Sequence, residues 1–141
     1  IMKQIPAVTQ ANQQMEALSK QWQEAVEAKA NEAKALYEAY QKSAATLSAA
    51  QKTAQEDAIV AKEKEAAELR KQYFGPEGEL MKKRQELMGP VQDAIYNAVK
   101  AIATERGYDV VIDRASAQSM IFASPRIDIS NEVLAKMGYS N

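Results

Sequence analysis

The chain has 141 residues, and its 18 Lys and Arg nearly balance its 19 Asp and Glu, leaving a formal net charge of −1. That length suits one ordinary domain, and that charge gives no reason to expect nucleic acid or an anionic membrane as the main partner. The absence of cysteine and histidine excludes disulfides, thiol nucleophiles, Ser-His and Cys-His dyads and the usual zinc sites.

The first half of the chain is predicted to be helical, because no glycine or proline interrupts residues 7–73. Its larger apolar residues recur at steps of mostly three and four, which is typical of a coiled-coil stripe. They are Met15, Leu18, Trp22, Val26, Ala33, Leu36, Tyr40, Ala44 and Leu47. Beyond Leu47 the stripe thins to alanines, and it strengthens again at Ala66, Leu69 and Tyr73.

A second amphipathic segment runs from Leu80 to Ile102 and ends at Gly107, a good C-terminal glycine for a helix. Between the two segments, "YFGPEGEL" raises the question of where a helical hairpin turns. A turn at Gly75 leaves about half of the first arm without a partner for its stripe. We therefore predict a hairpin over residues 7–107, with its tip near 46–56 and a break at 74–78. The alternative stays open, because clustered Gly and Pro are normally the stronger turn signal.

The last third of the chain changes character. "YDVVIDR" (108–114) is a β-branched run that predicts a buried strand, and "MIFAS" (120–124) predicts a second one. A short C-terminal helix follows, with its N-cap at Ser130 and its stop at Gly138. The predicted fold class is α+β, mostly α, with a long antiparallel α-helical hairpin attached to a small β-sheet body within 108–141. Because two strands make a marginal sheet, we expect a first strand upstream of Ile1 and association with other subunits.

The ordered set of "IMKQIP", long helices, "YDVVID", a second strand, "DIS" and "EVL" resembles the Skp/OmpH family of periplasmic chaperones over essentially the whole chain. The resemblance implies a single OmpH-like domain over 1–141 and a homotrimer whose helical hairpins hang like tentacles from a β-rich body. It also implies an ATP-independent holdase that keeps unfolded outer-membrane proteins in the cavity between the hairpins. The slightly acidic charge and the break at 74–78 depart from the family pattern.

Two groups of apolar residues are the candidate functional residues. The candidates for client binding are Trp22, Leu36, Tyr37, Tyr40, Tyr73 and Phe74. The competing interpretation is that most of them fill the seam between the two helices, although Tyr37 lies off the main stripe. The candidates for the oligomer body are Val110, Val111, Ile112, Ile121 and Phe122.

Two other functions were weighed against the holdase. In the first, the chain is a structural adaptor whose tip, "LSAAQKTAQED", docks a fixed partner in the cell envelope. In the second, the chain is an enzyme. This hypothesis lacks support, because the sequence has no histidine, no cysteine and no phosphate-binding glycine loop. We expect no cofactor, no nucleic acid partner and no stable membrane insertion, since no apolar run approaches transmembrane length.

Overall fold

The computed structural model describes residues 1–139 of the chain. Four α-helices follow one another: α1 (Pro6–Ser43), α2 (Ala49–Phe74), α3 (Glu79–Arg106) and α4 (Ser130–Lys136). Short 3₁₀ helices lie at Met2–Gln4, Ala44–Thr46 and Pro125–Ile127. The chain divides into two compact units, which we call the hairpin unit (residues 14–84) and the terminal unit (residues 1–13 and 85–141).

Polar side chains end α1 and begin α2. The hydroxyl of Ser43 donates to the carbonyl four residues earlier at 3.0 Å, and that of Thr46 donates to the Ser43 carbonyl at 2.8 Å. Helix α2 then starts with a capping box, in which Ser48 accepts from the Gln51 amide while the Gln51 side chain accepts from the Ser48 amide. These contacts satisfy some of the backbone groups that the two helix ends leave open.

Helices α1 and α2 run antiparallel within the hairpin unit. Trp22 in α1 stacks on Tyr73 near the end of α2, whereas Tyr40 near the end of α1 bonds to Glu56 near the start of α2. The buried seam between them is thin and consists of Val26, Ala33, Ile59 and Ala66. Because two of these four are alanines, hydrophobic burial stabilises this seam only modestly.

The terminal unit has a core of larger aliphatic side chains. Three parts of the chain contribute to it: the start of α1 with Ile5 just before it, α3 from Val91 onward, and α4. One cluster contains Ile5, Val8, Val91 and Leu134, and the other contains Ala98, Ile102 and Val133. Ion pairs at 2.6 Å, Arg106–Glu132 and Lys136–Glu105, also join α3 to α4. Because both ion pairs are exposed to solvent, they contribute little, and hydrophobic burial is the main stabilising contribution in this unit.

Two glycines stop α3 and α4, as the sequence predicted. Gly107 has φ +70°, and the amide after it, that of Tyr108, donates to the Ala103 carbonyl at 2.8 Å. Gly138 has φ +92°, and the Tyr139 amide donates to the carbonyl of Leu134 at 2.8 Å. Both ends follow the Schellman pattern, in which a left-handed residue lets the chain satisfy its last helical carbonyls.

The predicted β-sheet body is wrong. Among residues 1–139 the structure contains no β-strand, and the segments 108–114 and 120–124 are irregular. Asp113 lies in a turn, where its carbonyl accepts from the Ala117 amide at 3.1 Å and its carboxylate accepts from the Ala115 amide at 3.1 Å.

The physical reason lies in what these segments pack against. β-Branched residues favour a strand when a pleated, half-buried surface receives them, and a lone strand pair is marginal. Here Val110 is 73% exposed and Phe122 is 79% exposed, so nothing in the described residues supplies the packing surface that a strand needs. The expected strand upstream of Ile1 depended on that sheet and is withdrawn with it.

The predicted domain limits stay a prediction. They comprise one domain over 1–141, a helical hairpin at 7–107 with its tip near 46–56 and a break at 74–78, and a C-terminal part at 108–141. The last two residues of that part lie outside the described residues.

Candidate functional site

Three of the predicted client-binding residues come together in the hairpin unit. The rings of Trp22 and Tyr73 stack with centroids 4.9 Å apart and an interplanar angle of 3°, and Phe74 meets Tyr73 edge-on at 6.5 Å. Trp22 and Tyr73 are half-buried, whereas Phe74 is 37% exposed. The stacked pair joins α1 to α2, as the seam interpretation predicts, and Phe74 offers part of its ring to solvent.

The other three predicted residues lie closer to the connection between α1 and α2, residues 44–48. The Tyr40 hydroxyl donates to Glu56 Oε1 at 2.6 Å, and this hydrogen bond to a carboxylate raises the pKa of Tyr40. The Tyr37 hydroxyl, one turn earlier, accepts from the side-chain amide of Gln41 at 2.9 Å, and Tyr37 is 48% exposed. Leu36 beside it is also exposed. Tyr40 therefore belongs to the contact between the helices, whereas Leu36 and Tyr37 are open to a ligand.

Val60 is an exposed apolar residue that the sequence analysis missed. Its side chain is 61% exposed in α2. On either side of it in α2, Glu56 contacts Tyr40 of α1 and Lys62 contacts Glu32 of α1. Val60 therefore lies at the same level along the hairpin as Leu36 and Tyr37. We call Leu36, Tyr37 and Val60 the exposed apolar cluster. The signal was present in the sequence, because Val60 directly follows the seam residue Ile59 and so cannot share its face.

A charged quartet interrupts the apolar seam of the hairpin unit. Lys29 and Lys62 fall at seam spacing, between Val26 and Ala33 in α1 and between Ile59 and Ala66 in α2. Glu32 and Glu65 neutralise them, with distances of 3.3 Å for Lys62–Glu32 and 3.8 Å for Lys29–Glu65.

The quartet shifts the pKa values of its own members. The hydrogen bond from Lys62, with the charge of Lys29, holds the pKa of Glu32 below its ordinary value. Hydrogen bonds to Glu65 and Glu32 raise the pKa of Lys62. Both shifts favour the charged forms of Glu32 and Lys62. The pattern of apolar residues alone did not reveal the quartet.

The predicted oligomer residues are exposed in the terminal unit. They lie in the irregular segment after α3, and none of them belongs to either core cluster: Val110, Val111, Ile112, Ile121 and Phe122. Contiguous exposed apolar side chains of this kind are typical of surfaces that another chain covers. The structure places them at the surface without bringing them into a packed cluster.

The described residues hold no group of three or more acidic, cysteine or histidine side chains close enough to share a metal ion. Nor does any helix within residues 1–139 have the length and apolar character that crossing a membrane requires.

Comparison with known proteins identifies the family. The family model described as "Outer membrane protein (OmpH-like)" matches residues 1–137. A comparison with curated proteins gives no match. Since the family match covers nearly the whole chain, the resemblance found in the sequence is confirmed. The chain belongs to the OmpH-like family, a family of periplasmic chaperones of outer-membrane proteins.

Proposed function

We propose that this protein is an ATP-independent periplasmic holdase that binds unfolded outer-membrane proteins between the helical hairpins of a homotrimer. Membership of the OmpH-like family supports the general function. The observation that carries the proposal is the exposed apolar cluster, Leu36, Tyr37 and Val60, on a hairpin whose buried seam leaves these three side chains open to solvent. The proposal includes no enzymatic activity and no cofactor.

The chemistry of this surface suits weak and promiscuous binding. Each exposed side chain offers an apolar contact of a few tens of Å², which contributes at most about 1 kcal/mol. Contacts of that size, repeated on several hairpins, hold an unfolded chain through its many apolar residues and release it without an energy source. Of the residues predicted to bind clients, Leu36, Tyr37 and Phe74 would contact them directly. Trp22, Tyr40 and Tyr73 would act through the shape of the hairpin.

The test is suppression of aggregation of an unfolded β-barrel membrane protein without nucleotide. We expect suppression near one trimer per client, and about fivefold weaker binding by the double variant Tyr37→Ser and Val60→Ser. The matched control is Tyr96→Ser, which removes an exposed aromatic side chain from α3 in the terminal unit. No suppression by the unchanged protein would end the proposal, and equal losses in both variants would remove the exposed apolar cluster from it.

The trimer is proposed to form through the exposed residues of segment 108–122, which include Val110, Ile112 and Phe122. Burying several such side chains against other copies would offset the cost of exposing them in a single chain. We expect the native mass of a trimer, and a smaller species for the variant Val110→Asp with Ile112→Asp. A monomer for the unchanged chain at micromolar concentration would contradict this part of the proposal.

An adaptor that docks a fixed envelope partner through its tip is the competing function. The observation that favours it is the hydrogen bonding of the tip, where the side chains of Thr46, Ser48 and Gln51 each bond to a backbone group nearby. An ordered tip presents a fixed surface. Substituting exposed tip residues outside the capping box, such as Thr53 and Asp57, would abolish binding to one partner if the adaptor function holds, whereas a holdase would tolerate the change.

A further inference from the structure

We propose that the connection between α2 and α3, residues 75–78, is a rigid elbow rather than a flexible hinge. Glycine and proline in a loop suggest an easily bent joint, and the sequence alone supports that interpretation. Three observations favour a rigid connection instead. They are the backbone hydrogen bonds through the connection, the close approach of backbone atoms to its glycines, and the packing of the aromatic rings that precede it.

Backbone hydrogen bonds hold both glycines of the elbow. The Gly75 amide donates to the Lys71 carbonyl at 2.9 Å and completes the last turn of α2. The Gly78 amide donates to the Gly75 carbonyl at 2.9 Å, which closes a four-residue turn with Pro76 at its favoured second position. The Lys82 amide then donates to the Gly78 carbonyl at 3.1 Å and starts α3.

The two glycines are required by close approach. A Cβ at Gly75 would collide with the carbonyl oxygen of Lys71. A Cβ at Gly78 would lie 2.8 Å from the carbonyl oxygen of Tyr73 and 2.9 Å from the Gly75 amide nitrogen. All three contacts are with backbone atoms, which cannot swing aside as a flexible side chain can. The glycines therefore permit a tight turn in which any other residue would force the backbone to move.

The aromatic rings hold the helix end that enters the elbow. Tyr73, two residues before Gly75, stacks on Trp22 of α1 at 4.9 Å, and Phe74 meets the Tyr73 ring edge-on. Helix α1 thus fixes the last turn of α2 at the point where the turn begins. The consequence is that Phe74 is presented to solvent in one orientation, and bending of the hairpin unit has to occur outside residues 73–78.

Amide hydrogen exchange of the unchanged protein tests this directly. We expect the protection factors of the Gly75, Gly78 and Lys82 amides to lie within about thirtyfold of those in the last turn of α2. A flexible hinge would leave the Gly78 amide largely in contact with water. Protection at Gly78 lower by more than that factor would overturn the rigid elbow.

Alanine substitutions give a second, independent test. Gly75→Ala and Gly78→Ala are expected to lower the thermal midpoint by about 5 °C or more, and to change the fluorescence of Trp22, the only tryptophan of the chain. The matched control is Gly89→Ala within α3, where an added Cβ meets nothing within 4 Å.

The control should change the midpoint by less than about 2 °C, because the gain in helix propensity opposes the restriction that Pro90 places on the residue before it. If either elbow variant behaves like the control, the proposal is overturned. If an elbow variant fails to fold, the exchange measurement on the unchanged protein still decides.

Discussion

The hairpin unit and the terminal unit are both helical, yet they are stabilised in different ways. The terminal unit buries large aliphatic side chains such as Ile5, Val133 and Leu134 at the junction of three helical segments. The hairpin unit has two helices and a seam that includes alanines and the charged quartet. A two-helix seam leaves each helix open on most of its circumference, so burial there is limited by geometry as well as by residue size.

The difference teaches how one kind of secondary structure can serve two purposes. A seam held by small residues, one aromatic stack and ion pairs costs little to distort, whereas an aliphatic core resists change in volume. It also leaves apolar side chains such as Tyr37 and Val60 at the surface, since the narrow seam has no room for them. In the proposed holdase, the surface that contacts clients would belong to the weaker unit.

The largest expected effect is a cavity in the terminal unit. Leu134→Ala should lower the free energy of unfolding by about 3 kcal/mol, because a fully buried leucine loses its contacts and leaves a void. Amide exchange should accelerate in α4 and the second half of α3. The control is Ile127→Ala at an exposed position, expected to change stability by less than about 0.5 kcal/mol. Equal acceleration within α2 would contradict separate stabilisation of the two units.

A somewhat smaller effect is expected from breaking the aromatic stack in the hairpin unit. Trp22→Ala should cost about 2 kcal/mol, because the lost ring is half-buried and its stacking on Tyr73 disappears. Exchange should accelerate first around residues 22–26 and 69–73. Trp22→Phe keeps an aromatic ring in the seam and serves as the control, with less than half of the loss. An unchanged α2 in the alanine variant would show that the stack does not hold the hairpin together.

The helical part of the fold was predictable because the apolar periodicity of a helix is visible in neighbouring residues of the sequence. The stripe from Trp22 through Val26 to Ala33 needs only the sequence and a period of 3.6 residues, and these residues do lie on the seam face. Gly107 and Gly138 were predictable for the same reason, since the left-handed conformation they adopt is one that favours glycine. The family was predictable from the ordered set of segments that includes "IMKQIP", the long helices, "YDVVID", "DIS" and "EVL".

The β-sheet was not predictable from local pattern, because a strand depends on partners distant in sequence. Val110 and Phe122 have strand-like neighbours, yet no surface in the described chain covers them. The start of α4 shows a smaller error, and this one is local. Ser130 was predicted to be the N-cap, whereas Ser130 is the first helical residue and its amide donates to the carboxylate of Asp128 at 2.9 Å.

The candidate site was predictable in part. Periodicity separated Tyr37 from the stripe, but it could not tell that Tyr40 bonds to Glu56 or that Trp22 stacks on Tyr73. The charged quartet was invisible, because its ion pairs depend on how α1 aligns with α2. Val60 was missed because the stripe in this stretch was assigned to alanines, so its neighbour Ile59 was not recognised as a seam residue.

The smallest expected effect concerns acid, and it separates the charged seam from the aliphatic core. The pKa of Glu32 lies below its ordinary value of 4.5 because Lys62 and Lys29 favour the carboxylate. A lowered folded-state pKa means that the unfolded chain binds the proton first. The stabilisation is therefore complete above about pH 4.5 and is lost as the pH falls through the lowered folded value.

The variant Glu32→Gln should make the hairpin unit slightly less stable at pH 7 and less sensitive to acid between about pH 5 and pH 3. Trp22 fluorescence during urea unfolding at several pH values reports this, because Trp22 lies within the same unit. Glu63→Gln removes one charge from α2 outside the quartet and is the control. If the two variants show the same pH dependence, the quartet is a solvated surface feature, and the seam of the hairpin unit is held by its apolar and aromatic contacts alone.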